Sequence, residues 1–202
     1  MKLCRKKRKR KEYRKCITVQ KSLKFVAANC AGIKSKLKSF DEIITSLKPQ
    51  VWMLQETKLK TNETIKCDAL DEFQIYYLNR QNSHGGGLAL GVNKDIESTL
   101  IRDGDDQTEV ISVQAVFAEI PVRIVVGYGP QENSLLEKKS KFWDFIENEV
   151  NEAELEGHGV IIQMDGNLHA GQDLIPFNKT ANILSLRSWQ TYKFLVKIYI
   201  SG

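Results

Sequence analysis

Two short apolar runs, "KFVAAN" ending at Asn29 and "QVWMLQE" ending at Glu56, flank a segment whose apolar residues recur at helical spacing. In that segment Leu37, Phe40, Ile43, Ile44 and Leu47 share one helix face, and Pro49 closes it. Strand, helix and strand in that order predict an α/β opening, because a helix packed on two neighbouring strands covers the apolar faces of all three.

Beyond residue 73 the texture changes. "FQIYYLNR", "GGGLALGVN", "EVISVQAVFAEI" and "PVRIVVGYGP" read as neighbouring strands broken by Gly, Asn, Asp and Pro, with a tight turn between the last two marked by Pro121 and its acidic and apolar neighbours. Residues 132–157 return to helical spacing, with Leu136, Phe142, Trp143, Phe145, Ile146 and Val150 on the apolar side and an end near Gly157. "GVIIQMD" is one more buried strand, and "QTYKFLVKIYISG" reads as a strand with no partner after it. A chain of 202 residues with no internal repeat supports one core, so the expectation is a single layered α/β sandwich.

Hydrophobic residues make up 42% of the chain and charged residues 27%, and no apolar run approaches the roughly 20 residues of a membrane helix, so no membrane partner is expected. Cys4, Cys16, Cys30 and Cys67 form no CxxC pair and follow no secretory leader, which predicts free thiols in a reducing compartment. The net charge of +5 is unevenly spread. Residues 1–15 hold ten Lys or Arg and one Glu, a local +9, which leaves the rest of the chain at −4. A block of that kind is expected to be a disordered tail, residues 1–20, that suits nucleic-acid phosphates or import receptors and hence a nuclear location, with a cytoplasmic one as the alternative. A translated upstream region with no role of its own would look the same.

Chemistry is expected where several strands end together. In an extended segment residues i and i+2 face the same way, so in "IIQMDGNLHAG" Asp165 and Asn167 project together from a buried strand. A carboxylate beside an amide can orient a water and hold a phosphate oxygen, although Asp-Gly-Asn is also the composition of a plain turn. Three more strands end in suitable groups: Asn29, Glu56 and Tyr128. Glu56 is an oxygen donor of the kind Mg²⁺ prefers. Glu109 has two readings, an acid near the site and, the favoured one, a strand-edge surface acid; His169 reads as a solvated loop residue, and His84 and His158 as turn residues. "HGGGLALG" lacks the Lys-Ser/Thr of a P-loop and the spacing of a dinucleotide site, so it reads as a strand entry; "DGDDQTEV" lacks the glycine of a calcium loop.

The segments at 27–59, 85–95, 125–134 and 161–171 together resemble the endonuclease/exonuclease/phosphatase superfamily, of DNase I-like fold, and within it the retrotransposon-derived, craniofacial development protein 2-like group and non-LTR retrotransposon endonucleases. The resemblance rests on Gln-Glu-Thr-Lys with a downstream Asp-x-Asn and implies a domain over residues 21–175 and a divergent segment over 176–202. It implies that Glu56 coordinates Mg²⁺ (or Mn²⁺) and that Asn29 contacts the metal site and phosphate. Tyr128 would lie beside the scissile phosphate, Asp165 would position or deprotonate the attacking water, and Asn167 would steady the developing charge.

The family's last two strands, which bear an Asp and then a Ser-Asp-His element, have no counterpart, so the resemblance implies a fold incomplete at its C-terminal end and a site lacking transition-state donors. The implied function is a Mg²⁺-dependent endonuclease acting on DNA, or on RNA. The alternatives are a phosphomonoesterase of the same superfamily and a non-catalytic nucleic-acid-binding remnant.

Overall fold

The computed structural model describes residues 23–80, 85–105, 108–165, 182–183 and 194–199. The first sheet holds β1 (Phe25–Asn29), β2 (Val51–Gln55), β3 (Phe73–Leu78) and β4 (Leu88–Asn93) in the order β1-β2-β4-β3. The second holds β5 (Ser98–Asp103), β6 (Glu109–Phe117), β7 (Ile120–Tyr128), β8 (Gly159–Asp165), β9 (Asn182–Ile183) and β10 (Phe194–Tyr199) in the order β5-β6-β7-β8-β10-β9. Each sheet contains one parallel pair, β1–β2 and β7–β8, and each pair is bridged by a helix: α1 (Leu37–Leu47) and α2 (Leu136–Leu155). Parallel neighbours need such a crossover.

Alternation along the strands sorts the core into three slabs. Trp52 and Leu54 of β2 face α1, where they meet Phe40 and Ile44. Val51 and Met53 face the other way and pack, with Leu88, Leu90 and Val92, against Ile111, Val113, Ile124 and Val126 of the second sheet. Val125, Val160, Ile162 and Met164 face α2 through Phe142, Ile146 and Val150. The order is helix, sheet, sheet, helix, and strands covered on both faces explain why β2 and β8 read as continuous apolar runs.

Trp52 shows how closely the first slab is fitted. It is fully buried, with its ring edge-on to Phe40 at 5.3 Å and Phe73 at 6.1 Å. Its register partner on β4 is Gly91, where a Cβ would collide with the indole. The glycine inside "LALGVN" makes room for the tryptophan next door.

Several expectations are corrected here. The turn between β6 and β7 falls at Ala118 and Glu119, both at positive φ as a two-residue hairpin of the primed type requires, and Pro121 lies inside β7 opposite Val116. Leu136 is exposed at the start of α2, not on its apolar face. The C-terminal strand pairs with strands that precede it: β10 runs antiparallel to β8, with Phe194 opposite Asp165, and β9 pairs on its other side. No helix among the described residues is long and apolar enough to cross a membrane. Cys30 and Cys67 are free thiols. Cys4, Cys16 and the basic stretch of residues 1–20 lie outside the described residues.

Candidate active site

Strand parity decides which side chains reach the gap between the sheets. Ala27 and Asn29 follow Phe25 on the inter-sheet face of β1, Gln55 follows Met53 on β2, Tyr128 follows Val126 on β7, and on β8 Asp165 follows Gln163. In register Asn29 stands opposite Gln55, and Glu109, Tyr128 and Asp165 form a row across β6, β7 and β8. Three of the four strand ends named from sequence thus meet at one mouth of the sandwich.

Glu56 has the wrong parity for that mouth, being one residue past Gln55. It adopts a left-handed φ of 51°, which a non-glycine residue takes only when its surroundings hold it there. Backbone bonds on both sides do so: Gly32 N–H donates to the Glu56 carbonyl at 2.7 Å, and Thr57 N–H donates to the Gly87 carbonyl at 3.1 Å. The kink returns the carboxylate to the mouth.

There the four groups form one hydrogen-bonded cluster. Asn29 Nδ2 donates to Glu56 Oε1 at 2.8 Å and to Asp165 Oδ2 at 3.0 Å, and Tyr128 Oη donates to Glu56 Oε1 at 3.0 Å. The Asn29 oxygen accepts the Ala31 N–H at 3.0 Å, which fixes the direction of the amide. In this arrangement Asn29 holds both carboxylates, and Glu56 Oε2 lies 3.7 Å from Lys58 Nζ. Asn167 and His169 lie outside the described residues.

Beneath the cluster two fully buried amides join the sheets. Gln163 Nε2 donates to Gln55 Oε1 at 2.9 Å, and Gln55 Nε2 donates to the Gly127 carbonyl at 2.9 Å. These bonds set the strand ends carrying Glu56, Tyr128 and Asp165 relative to one another. Cys30, beside Asn29, donates its thiol to the Gln55 carbonyl at 3.2 Å; burial pushes its pKa up, so it is an un-ionised structural donor and not a nucleophile.

A cleft of about 360 Å³ opens beside Glu56 and Tyr128, with Lys58, Arg80, Glu109 and Lys138 on its walls. Glu109 is buried, accepts the Gly87 N–H at 2.7 Å and pairs with Arg80, which corrects its reading as a surface acid. Arg80 went unnoticed in the sequence. The one signal for it is the "GGG" that follows: Gly86, at φ 66°, has its Cβ position filled by the Arg80 guanidinium and the Glu109 carboxylate.

The family model described as the Endonuclease/Exonuclease/phosphatase family matches residues 26–174, which contain the whole cluster. The chain belongs to that family. Solved structures agree with this family's fold. TDP2 from Caenorhabditis elegans aligns at TM-score 0.54 and 16% identity over 73% of this chain and 48% of its own. The 3′ phosphatase NExo from Neisseria, bound to a product DNA hairpin, aligns at 0.55 and 17% over 75% and 60%. The human Nocturnin catalytic domain with a bound sulfate anion aligns at 0.55 and 16% over 74% and 66%. The chain thus spans about half to two thirds of the length of these three proteins. No curated protein sequence matches it.

Among the described residues no three His, Cys, Asp or Glu side chains converge into a ready-made metal cage. The donors present, Glu56 with Asp165 one amide away, are hard carboxylate oxygens. They fit a cation such as Mg²⁺ or Mn²⁺ that takes one or two protein carboxylates and keeps water for the rest of its shell.

Proposed function

We propose that the chain is a divalent-metal-dependent phosphodiester hydrolase of endonuclease type acting on DNA, with its domain over residues 21–175. The observation that carries the reading is the Asn29–Glu56–Tyr128–Asp165 cluster at the mouth between the sheets. It supports a division of labour. Glu56 would hold Mg²⁺ or Mn²⁺ through Oε2, and the bound metal would supply Lewis-acid stabilisation of charge on the phosphate.

Asp165 is only 6% exposed, so it meets little water other than what the mouth admits. It would take the proton of the attacking water, and Asn29 keeps its carboxylate aimed while bridging it to Glu56. Tyr128 would donate its phenol hydrogen beside the scissile phosphate, and Lys58 would counter the charge of the phosphate oxygens. Preorganised donors of this kind are worth about 10²–10³-fold in rate each.

The basic stretch within residues 1–15 supports DNA as the partner, with RNA the second choice, and a nuclear location through import receptors. A tagged protein that distributes identically with and without those residues would remove the support for that location. The four matching segments support a retrotransposon-derived origin.

The reaction class is tested on small esters. With Mn²⁺ or Mg²⁺, the chain is expected to hydrolyse bis(p-nitrophenyl) phosphate and to leave p-nitrophenyl phosphate nearly untouched. Faster release from the monoester would instead make it a phosphomonoesterase. Action on neither ester, with DNA still bound, would favour the non-catalytic reading.

A further inference from the structure

Glu56 is not the only strained residue past the end of β2. Lys58 is also left-handed, at φ 52°, so two non-glycine residues at positive φ flank Thr57. Both of their side chains reach the cleft, where Glu56 Oε2 and Lys58 Nζ stand 3.7 Å apart. Thr57 between them is fully buried.

Backbone holds this tripeptide from two sides. The Thr57 N–H donates to the Gly87 carbonyl and its own carbonyl accepts the Ile33 N–H, both at 3.1 Å, which ties the loop after β1 to the turn before β4. The same two loops grip its neighbours: Gly32 N–H donates to the Glu56 carbonyl at 2.7 Å, and Lys58 N–H donates to the Gly86 carbonyl at 2.9 Å. The Thr57 side chain is seated directly on Gly87, where an added Cβ would come within 2.7 Å of Oγ1.

The hydroxyl gains nothing from this seat. Thr57 Oγ1 is buried and has no hydrogen-bond partner among the described residues. A buried hydroxyl left in that state costs stability that a methyl group in the same place would not. What remains for Thr57 to contribute is its branched shape, which restricts χ1 and fills the space over Gly87.

We propose that Thr57, seated on Gly87, is a positioning residue whose branched side chain holds the Glu56–Lys58 kink and so places the Glu56 carboxylate. It touches no reacting atom and acts through Glu56. The inference rests on the hydrolase reading for the metal that Glu56 would hold; the contact of Glu56 with the Asn29 amide at 2.8 Å is independent of that reading.

Three substitutions separate shape from hydroxyl. Thr57→Val keeps the branch and drops the hydroxyl, Thr57→Ser does the reverse, and Thr57→Gly drops both. The first readout is the Kd for Mn²⁺ by isothermal titration calorimetry. The second needs no metal: the side-chain amide ¹H–¹⁵N signal of Asn29, with Glu56→Gln marking its position when the carboxylate is lost. Thr57→Val is expected to match wild type in both and to unfold at higher urea. Thr57→Ser and Thr57→Gly are expected to weaken Mn²⁺ binding about tenfold and to move the Asn29 signal toward its Glu56→Gln position.

The opposite order, with Thr57→Val impaired and Thr57→Ser like wild type, would overturn the proposal by making the hydroxyl the working group. A wild-type Kd and Asn29 signal in Thr57→Gly would overturn it too. So would Kd losses that track the urea midpoints while the Asn29 signal stays put, which is how a merely structural residue behaves. A wild-type chain that binds no Mn²⁺, with the Asn29 signal moving in the expected order among the variants, would uphold the positioning role and sink the metal reading, so the two failures are distinguishable.

Discussion

Asn29 and Asp165 are 136 residues apart in the chain, sit on different sheets, and meet at 3.0 Å through the Asn29 amide nitrogen. The same nitrogen donates to Glu56 at 2.8 Å. One amide thus ties together the ends of three strands and two acids that would otherwise repel.

If the two acids are held for a cation, divalent metal should bind the folded state alone. Adding Mg²⁺ or Mn²⁺ at a hundred times its Kd is expected to raise stability by about 2.7 kcal/mol, and Glu56→Gln to abolish the rise. A thermal shift series with EDTA as the baseline reads this directly.

The amide pair under the site should be a large stability determinant. Gln55→Leu strips Gln163 of its acceptor and the Gly127 carbonyl of its donor, all in buried surroundings, and is expected to cost about 1–3 kcal/mol. The double variant with Gln163→Leu should cost less than the sum of the singles, as urea denaturation would show.

Glu149 of α2 is fully buried against Arg123, which is 2% exposed, at 2.8 Å, and also receives Ser112. Glu149→Leu removes one of the two carboxylates that pair with Arg123, leaves Glu156 at 3.0 Å as the other, and should cost about 1–3 kcal/mol through the lost buried bonds. A loss under 1 kcal/mol in chemical denaturation would contradict that account.

Cys67 has its thiol pKa pushed up to about 11, first by burial and then by the thiol's bond to Asp41 at 2.8 Å. A raised thiol pKa means the unfolded chain ionises first as pH rises. Stability from this group is present below the reference value of 9.0 and is lost as pH climbs from there through about 11. Alkylation of Cys67, followed by peptide mass spectrometry, should therefore be slow at neutral pH and accelerate only in that alkaline range.

Much of this was legible in the chain because buried strands that stop at a polar residue leave a mark. Asn29, Glu56, Tyr128 and Asp165 each follow an apolar run, and the structure brings all four together. Gln55 and Gln163 left no mark, because an amide inside an apolar run looks like a tolerated core position until its partner across the sheets is known. The pairing of Arg80 with Glu109 was hidden for a similar reason: 29 residues separate them, and only the pairing of β6 with its neighbours makes one the counter-ion of the other. The β6–β7 turn was centred too late, on Pro121 and not on Ala118 and Glu119, because neither positive-φ position carries the glycine or asparagine that would have signalled it. Strand β5 gave no signal at all, since its residues are mostly exposed and its apolar pair, Leu100 and Ile101, is adjacent and not alternating.

The central claim is that Glu56 and Asp165, joined through Asn29, hydrolyse phosphodiester bonds in DNA. The most direct measurement is nicking of supercoiled plasmid by the purified chain in Mg²⁺ or Mn²⁺, beside an EDTA control and the Glu56→Gln and Asp165→Asn variants. The account predicts nicking that disappears with EDTA and falls by at least about 10²-fold in each variant. A folded wild-type protein that leaves the plasmid intact, or nicking that survives both substitutions, would contradict it.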